Sequence, residues 1–410
     1  MTSDPQTAAE IPLEAHAVSA RRRRGLFFIG AAVAGVGFTM ALQMGIDANF
    51  AGDVMKISGA QRGVLEASRE SCGILALGVL ALLAGLAEPL VGSGMLVLLA
   101  VGLGAYFWVP NYRWLIVASL VWSQGLHVWM PLPNSMTLAV AEPGRAGYRL
   151  GQVRAAGLAG AGAGLLAGLG LNALGVQIRP LYLVAGAAAI LSAAACFGIP
   201  RAIRTPGPRF VFRRRYGLYY LLSFLEGWRK QIFVAFAGFL LVKHYGTPLR
   251  VMLVLALAHH AIGWVASPLV GRLIDRVGER PVLVFYFGGL TCFFVGYAWV
   301  RNVYGLYALY VVDSSFFVFA IALTTYVNRI APSAEHTRTL SMGVAFNHVA
   351  AVLMPLVGAV LWKYAGYQWV FLMGAAAAAG SILAALRLPK RTSADSSRGG
   401  PTAKSPAGAG

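Results

Sequence analysis

Residues Tyr219 to Val242 read YYLLSFLEGWRKQIFVAFAGFLLV, an apolar stretch with three charged residues near its middle. The stretch is long enough to cross a bilayer, whose hydrocarbon core needs about 20 apolar residues per helix. Glu226, Arg229 and Lys230 lie at a depth where an ionised side chain costs roughly 2.5–3.5 kcal/mol on insertion scales. A chain keeps such residues only where they face protein or water. The stretch therefore predicts a membrane helix whose charged side faces the interior of a bundle.

The composition of the whole chain supports this interpretation. Of the 410 residues, 58% are hydrophobic, only 12% are charged and 49 are glycine, which is too apolar for a soluble domain. The three cysteines, Cys72, Cys196 and Cys292, are far apart and have neither metal or redox spacing nor the pattern of a disulfide framework. The sequence predicts an all-α integral membrane protein in which the cysteines are small core residues.

Twelve apolar runs are long enough to be transmembrane helices. Their even number returns both termini to the same side of the membrane. The first run follows Arg21 to Arg24, but its length and the absence of a small-residue cleavage site favour a retained helix over a signal peptide. The runs lie near residues 26–49, 62–86, 92–110, 113–138, 150–173, 180–200, 216–242, 249–270, 281–300, 303–329, 340–363 and 367–387.

Basic residues are concentrated in every second loop, and short cytoplasmic loops are the ones enriched in Lys and Arg. Placing the amino terminus inside puts most of them in the cytoplasm, including the cluster at 201–215, and leaves few for the outer loops, among them Arg62. The predicted location is the inner (plasma) membrane, with multiple passes and both termini cytoplasmic. This asymmetry accounts for most of the net charge of +19. The basic runs lack the interleaved aromatic residues of a nucleic-acid-binding face.

A basic, proline-containing stretch, PRAIRTPGPRFVFRRRYG at Pro200–Gly217, has six predicted spans on each side. Six plus six spans predict two parallel, pseudo-symmetric halves. Weak similarity between the residues after the first span and those after the seventh agrees with this division. The predicted parts are a cytoplasmic tail at 1–24, a six-helix half at 25–200, a linker at 201–215, a second six-helix half at 216–388 and a disordered tail at 389–410.

The loop between the eighth and ninth spans reads GRLIDRVGERPVL. It resembles the signature cytoplasmic loop of the major facilitator superfamily. The equivalent first-half loop, AGLAEPLVGSGM, keeps an acid in Glu88 but has no basic residue. The resemblance implies the twelve-helix fold of that superfamily and a cytoplasmic gate whose charged groups pair at helix ends. The implied gate residues are Gly271, Asp275, Arg276, Gly278 and Arg280.

The resemblance also implies that the first, fourth, seventh and tenth helices line a central cavity. The candidate residues for substrate binding or proton coupling are Glu226, Arg229, Lys230, Asp313, His259, His260, Gln43 and Gln124, and His127, Asn347 and His348 are further polar groups. Glu226 is spaced i,i+3 and i,i+4 from the two bases and can neutralise one of them. The surplus positive charge either meets an anionic substrate or pairs with Asp313 on the tenth helix.

The second span carries Glu66, Arg69 and Glu70 within five residues. Their i,i+3 and i,i+4 spacing allows a self-satisfying face in the outer third of the membrane. Either an outer gate or a helix-packing network would have this pattern.

Enzyme chemistry has little support, because the sequence has no phosphate-binding loop, no cluster with metal-ligand spacing and no nucleophile elbow. We predict a secondary transporter, a symporter or antiporter, that acts without a cofactor or metal. The predicted substrate is a small organic anion, and protons are the predicted coupling ion. The predicted partners are this substrate and the lipid bilayer. The protein is predicted to be a monomer. Two alternatives are proton-coupled efflux of amphipathic drug-like compounds and a non-transporting receptor or scaffold with a transporter fold.

Overall fold

The computed structural model describes residues 5–142, 145–204 and 212–389, and all regular elements in these ranges are helices. Residues 205–211 of the predicted linker at 201–215, and nearly all of the predicted tail at 389–410, lie outside the described residues. The α-helices are α1 (Pro5–Asn49), α2 (Gly59–Leu82), α3 (Glu88–Ala105), α4 (Tyr112–Trp129), α5 (Leu132–Val140), α6 (Ala146–Ala173), α7 (Ile178–Cys196), α8 (Gly217–Ile232), α9 (Gly238–Lys243), α10 (Leu249–Val277), α11 (Glu279–Trp299), α12 (Val303–Phe316), α13 (Ile321–Ile330), α14 (Ser333–Tyr364) and α15 (Tyr367–Leu386).

Some of these helices follow one another almost without interruption. A π-helical turn, Phe50–Val54, extends α1; another, Phe233–Ala237, joins α8 to α9; a 3₁₀ turn, Phe317–Ala320, joins α12 to α13; and α5 continues α4. The described residues therefore form twelve helical segments, which we number 1 to 12 in chain order, at the twelve positions predicted from hydropathy. The prediction of an all-α membrane protein is confirmed.

Ten of these segments are long and apolar enough to cross a membrane. The other two are segment 2, which is α2, and segment 7, which runs from α8 to α9. Each carries several charged residues near its middle, the first Glu66, Arg69 and Glu70 and the second Glu226, Arg229 and Lys230. The charges that lower their hydropathy are buried or partly buried against neighbouring helices, which is why these segments can still belong to the bundle.

The two sets of six segments pack in the same way. In the first, α1 contacts α6 and α7, α3 contacts α7, and α2 contacts α4; in the second, α8 contacts α14 and α15, α11 contacts α15, and α10 contacts α12. Each contact recurs between the segments six places later. The sets meet where α2 packs on α14 and α6 packs on α10, two contacts related by the same shift. We refer to the sets, residues 5–204 and 212–389, as the two halves.

Each half has its own hydrophobic core. Tyr106 and Tyr182 stack in the core of the first half with ring centroids 4.6 Å apart, and Tyr297 and Phe371 do so in the second at 4.8 Å. All four side chains are fully or nearly fully buried. The second core holds more buried aromatic residues than the first.

The glycine-rich sequence of α6 permits its close approach to α1. A Cβ atom at Gly160 would lie 1.9 Å from the carbonyl oxygen of Ala34, a separation that no larger residue could accept. Small residues allow such backbone contact between membrane helices, where packing rather than water exclusion drives association. The run GQVRAAGLAGAGAGLLAGLG is therefore explained by helix packing.

On the side of the termini, segment 7 is tied to segment 11. Arg215 donates to Glu335 at 2.5 Å, and the Tyr216 hydroxyl donates to the same carboxylate at 2.8 Å. The hydrogen bond from Arg215, followed by that from Tyr216, lowers the pKa of Glu335 below its usual range. The start of the second half is thus anchored within that half.

Candidate functional site

A buried ionic cluster lies inside the second half. Arg229, which has no exposed surface, donates from Nη2 to Glu226 Oε1 at 2.6 Å and from Nε to Glu226 Oε2 at 3.2 Å. Tyr286 of α11 donates to Glu226 Oε1 at 2.9 Å and also contacts Arg229. The guanidinium lies 4.2 Å from the ring centre of Phe317. Arg229 is therefore held by a carboxylate, a phenol and an aromatic face within one half.

Asp313 on α12 completes this cluster but is held more weakly. Its Oδ1 atom is 3.8 Å from Arg229 Nη1, and its side chain has no exposed surface. Neither carboxylate oxygen has a hydrogen-bond partner among the described residues. An ionised carboxylate in this position carries a large desolvation cost without hydrogen bonds to offset it. The geometry therefore favours the protonated form of Asp313.

A second buried ionic cluster lies inside the first half. Arg62 Nη2 is 2.6 Å from Asp47 Oδ2 and 2.9 Å from Glu66 Oε1. Arg69 Nη1 is 2.5 Å from the same Glu66 oxygen and 3.4 Å from Asp47 Oδ2. Gln43 donates to Asp47 Oδ1 at 3.0 Å. Two acids and two bases thus neutralise one another between α1 and α2.

Two members of this cluster were not predicted from the sequence. Asp47 was missed, although an aspartate in the apolar run GIDANF is an unusual residue in a membrane helix. Arg62 was assigned to an outer loop, and this was wrong, because it lies in α2 with 3% exposure. The predicted pairing of Glu66 with Arg69 does occur, while Glu70 points to a different group.

Arg62 also reaches the other half. Its Nε atom donates to the carbonyl oxygen of Ala235 at 3.0 Å, and its guanidinium lies 6.0 Å from the ring centre of Phe239. Ala235 belongs to the π-helical turn between α8 and α9, where the regular i→i−4 hydrogen bonding of the helix is interrupted. Asn49 makes a second bond between the halves by donating to the Thr247 carbonyl at 2.9 Å. These bonds hold the halves together on the side opposite the termini.

A third polar group lies where the halves meet. Lys230 Nζ donates to Asn347 Oδ1 at 2.9 Å, and Asn347 Nδ2 donates to the Ser223 carbonyl at 3.2 Å. On the facing side, Glu70 Oε2 is 3.2 Å from Nδ1 of His348, which connects α2 to α14. The rings of His127 and His348 are 5.2 Å apart. We call the residues Glu70, His127, Lys230, Asn347 and His348 the interface cluster.

The interface cluster is near the middle of the bundle. Each of its members lies close to the centre of its own segment, Glu70 in α2, His127 in the segment Tyr112–Val140, Lys230 between Gly217 and Lys243, and Asn347 and His348 in α14. All five side chains are partly rather than fully buried. A solute that enters between the halves would therefore meet these groups at mid-depth.

Lys230 differs from Arg229 although the two are adjacent. No carboxylate lies within ion-pair distance of its ammonium among the described residues, and its bonded partner is a neutral amide. The sequence left open which of the two bases carries the surplus charge. The structure places Arg229 in an internal ionic cluster and Lys230 at the interface.

The remaining candidates lie apart from these groups. His259 and His260 have ring centroids 4.4 Å apart on α10, and His260 Nδ1 donates to the Ala256 carbonyl at 2.9 Å. Gln124 on α4 has no partner for its amide nitrogen among the described residues. Neither histidine belongs to the interface cluster, whose histidines are on α4 and α14.

The predicted gate motif spans the end of α10 and the start of α11. Gly278 has a φ of 84°, which favours glycine at the break between these helices. A Cβ at Gly271 would meet nothing within 4 Å, so in this conformation that glycine is not needed for close packing. Asp275 and Arg276 are exposed, and Arg280 is partly buried. The neighbouring Glu279 lies 3.2 Å from Arg329 on α13.

Comparison with known proteins gives a family match and a fold match. The profile of the Major Facilitator Superfamily matches residues 216–409. No curated protein sequence matches the chain significantly.

Several solved structures are similar across most of the chain. A point mutant of the nucleoside transporter NupG has a TM-score of 0.74 at 14% identity, covering 88% of this chain and 98% of its own. A bacterial homologue of the human lysosomal transporter Spinster, inward-facing and occupied, has a TM-score of 0.68 at 14% identity, with coverage of 90% and 97%. A point mutant of the peptide transporter POT in complex with sulfate has a TM-score of 0.70 at 13% identity, with coverage of 88% and 94%.

A multi-pass bundle of two equivalent halves, with polar groups enclosed between them, is the architecture of a membrane transporter and not of an enzyme. The profile match over the second half and the fold shared across most of the chain both support a major facilitator superfamily transporter, without assigning a subfamily. The resemblance noted in the loop GRLIDRVGERPVL is confirmed.

Proposed function

We propose that the protein is a secondary active transporter that moves a small organic anion by alternating access, with Lys230 as the contact for the anion. The observation that carries this proposal is the position of Lys230, a partly buried base at mid-depth between the halves whose partner is the neutral side chain of Asn347. A partly desolvated ammonium without a bonded carboxylate is suited to donate a charge-assisted hydrogen bond to a bound anion. Asn347 supplies an amide beside it.

The charge balance of the two ionic clusters supports an anionic substrate. In the first half, Asp47 and Glu66 balance Arg62 and Arg69. In the second, Glu226 balances Arg229 when Asp313 is protonated. Lys230 and Glu70 then remain at the interface, where Glu70 lies beside Nδ1 of His348 at 3.2 Å. Lys230 is therefore the base of these groups that has no carboxylate within ion-pair distance among the described residues.

Proton coupling belongs to the same proposal, and Asp313 is the group we assign to it. Its carboxyl group is buried without a hydrogen-bond partner in the part of the chain that the structure describes, and Oδ1 lies 3.8 Å from Arg229 Nη1. Releasing its proton places a second negative charge beside Arg229 and strengthens an attraction that the protonated form lacks. A change of this kind inside one half can bias how that half packs against the other.

Orientation and gating complete the proposal. We place both termini in the cytoplasm and the protein in the inner membrane, as the distribution of Lys and Arg predicts. On this orientation, the bonds of Arg62 and Asn49 close the outer side, and Asp275, Arg276 and Arg280 lie at the cytoplasmic side, where we assign them to a gate.

Changing Lys230 to Gln tests the anion contact. The loss of a hydrogen bond to a charged group costs about 1.5–3 kcal/mol, so we expect roughly 10–150-fold weaker binding of the anion. The thermal stability of the purified protein should change little, because Lys230 has no buried carboxylate to leave unpaired. The measurement is ligand affinity by thermal shift, after a screen of carboxylates, phosphate esters and cationic amphiphiles.

The matched control is Lys243→Gln, which removes a lysine from the same segment at its end. It should leave anion affinity unchanged. Equal affinity in the wild type and Lys230→Gln would remove Lys230 from the site, and stabilisation by cationic amphiphiles alone would favour the efflux alternative. A chain that binds no solute, and moves none in proteoliposomes, would be a receptor or scaffold instead.

Changing Asp313 to Asn tests the coupling. The amide has the shape of the protonated acid, so the fold and equilibrium binding of the anion should be retained. Accumulation driven by a pH gradient should fall to the level of passive exchange, because the side chain can no longer release a proton. The measurement is substrate uptake into proteoliposomes with and without a pH gradient, with counterflow as the control for intact exchange. Gradient-driven accumulation equal to that of the wild type would assign the proton to another group.

A further inference from the structure

Three side chains of the interface cluster that the anion contact does not use converge on one point. Glu70 of α2, His127 of α4 and His348 of α14 each offer one ligand atom, and these atoms lie within 4.8 Å of one another. The side chains of Glu70 and His348 retain 17% and 14% exposure, so solvent can reach the group. We propose that Glu70, His127 and His348 form a binding site for a divalent transition-metal ion between the two halves, with Zn²⁺ as the best match.

The donor set decides the class of ion. Two imidazole nitrogens and one carboxylate oxygen suit Zn²⁺ and Co²⁺, whereas Ca²⁺ and Mg²⁺ prefer oxygen ligands. Ligands at about 2.0–2.2 Å from a tetrahedral zinc ion are roughly 3.3 Å apart. His348 Nδ1 and Glu70 Oε2 already have this separation, at 3.2 Å. Closing the site therefore requires mainly that His127 move toward them.

His127 is oriented for this role by its own helix. Its Nδ1 atom lies 2.8 Å from the Ser123 carbonyl oxygen. A carbonyl oxygen only accepts, so Nδ1 carries the proton and Nε2 presents its lone pair. Histidines that bind metals generally have their second nitrogen held in this way.

The backbone of α2 leaves room for the two rings. Gly73 is one turn after Glu70, and a Cβ atom there would lie 2.5 Å from His348 Nδ1 and 3.0 Å from His127 Cδ2. Any larger residue would push the imidazoles away from the carboxylate. A glycine at this point is what allows groups from three helices and both halves to meet.

Lys230 opposes the binding of a cation. Its ammonium interacts electrostatically with Glu70 and with His127. This repulsion weakens the site without removing a ligand. It also provides a test, because replacing Lys230 with Met should tighten metal binding by roughly tenfold, and ions bound to scattered surface groups would not respond in this way.

The experiment uses the full chain in detergent, purified without a polyhistidine tag and stripped with a chelator. Titration with Co²⁺, followed by visible absorption, should give one tetrahedral ion per chain, displaced by Zn²⁺. Glu70→Gln, His127→Ala and His348→Ala should each weaken binding by about tenfold or more. The matched control His260→Ala should bind as the wild type does. The stability of each variant, measured in chelator, separates loss of the site from loss of the fold.

Two results would overturn the proposal. One is the absence of saturable binding to the wild type, and the other is binding that survives each of the three ligand substitutions. The measurement involves no transport, so it is independent of whether the anion proposal holds. Because the ligands come from both halves, bound Zn²⁺ should also slow exchange between conformations, and an unchanged rate at saturation would contradict a site that bridges them.

Discussion

Replacing Arg229 with Gln is expected to lower the free energy of unfolding by about 3–5 kcal/mol, because it leaves the buried Glu226 carboxylate without its charged partner. Both oxygens of that carboxylate accept from Arg229. The Tyr286 hydroxyl remains as a donor but carries no charge. The measurement is unfolding of the purified protein in mixed micelles. Lys230→Gln, one residue away, is the matched comparison and should unfold as the wild type does.

A double variant distinguishes a lost ion pair from lost packing. Glu226→Gln in the Arg229→Gln background removes the orphaned charge, so most of the lost stability should return. If both Arg229 variants were as stable as the wild type, the ion pair between Arg229 and Glu226 would not stabilise the fold. If Arg229→Gln also weakened anion binding at unchanged stability, the substrate contact would have to be reassigned from Lys230 to Arg229.

The positions of the twelve segments could be predicted from the sequence because each membrane run has its own hydropathy signal. The Glu226–Arg229 and Glu66–Arg69 pairs could be predicted too, since i,i+3 neighbours meet on any helix. Asp313 could be named as an alternative partner because of its depth in the tenth helix, and it does lie beside Arg229. Asp47 was missed, because it lies on another helix than its partners and local spacing does not encode which helices pack together.

The error at Arg62 has a local cause. Counting charged residues outward from the apolar run placed Arg62 in a loop, whereas α2 begins before it. The signal was present in SGAQ, because Ser58 and Gln61 form a reciprocal capping box that marks the helix start. The grouping of the interface cluster could not be predicted from the sequence for a different reason. His127, Lys230 and His348 are on segments 4, 7 and 11, and only the packing of both halves brings them together.

Replacing Arg62 or Arg69 with Gln should have different consequences, although the two arginines share the carboxylates of Asp47 and Glu66. Both substitutions break a buried ionic cluster, and each should cost about 3–5 kcal/mol of stability. Only Arg62 also bonds to the second half, through the Ala235 carbonyl. The hydrogen bond of a charged donor contributes about 1.5–3 kcal/mol, so its loss should shift the equilibrium toward separated helix ends on the side opposite the termini by roughly 10–150-fold.

The shift can be measured as a distance between spin labels at Arg113→Cys and Tyr304→Cys, which are exposed at the starts of segments 4 and 10. The background should carry Cys292→Ser, because Cys292 is exposed whereas Cys72 and Cys196 are buried. Arg62→Gln should add a population with a longer distance, and Arg69→Gln should keep the distribution of the parent. The same distribution in both variants would mean that the Arg62 bond to Ala235 does not hold the halves together, and closure on that side would then depend on Asn49 and the apolar contacts around it.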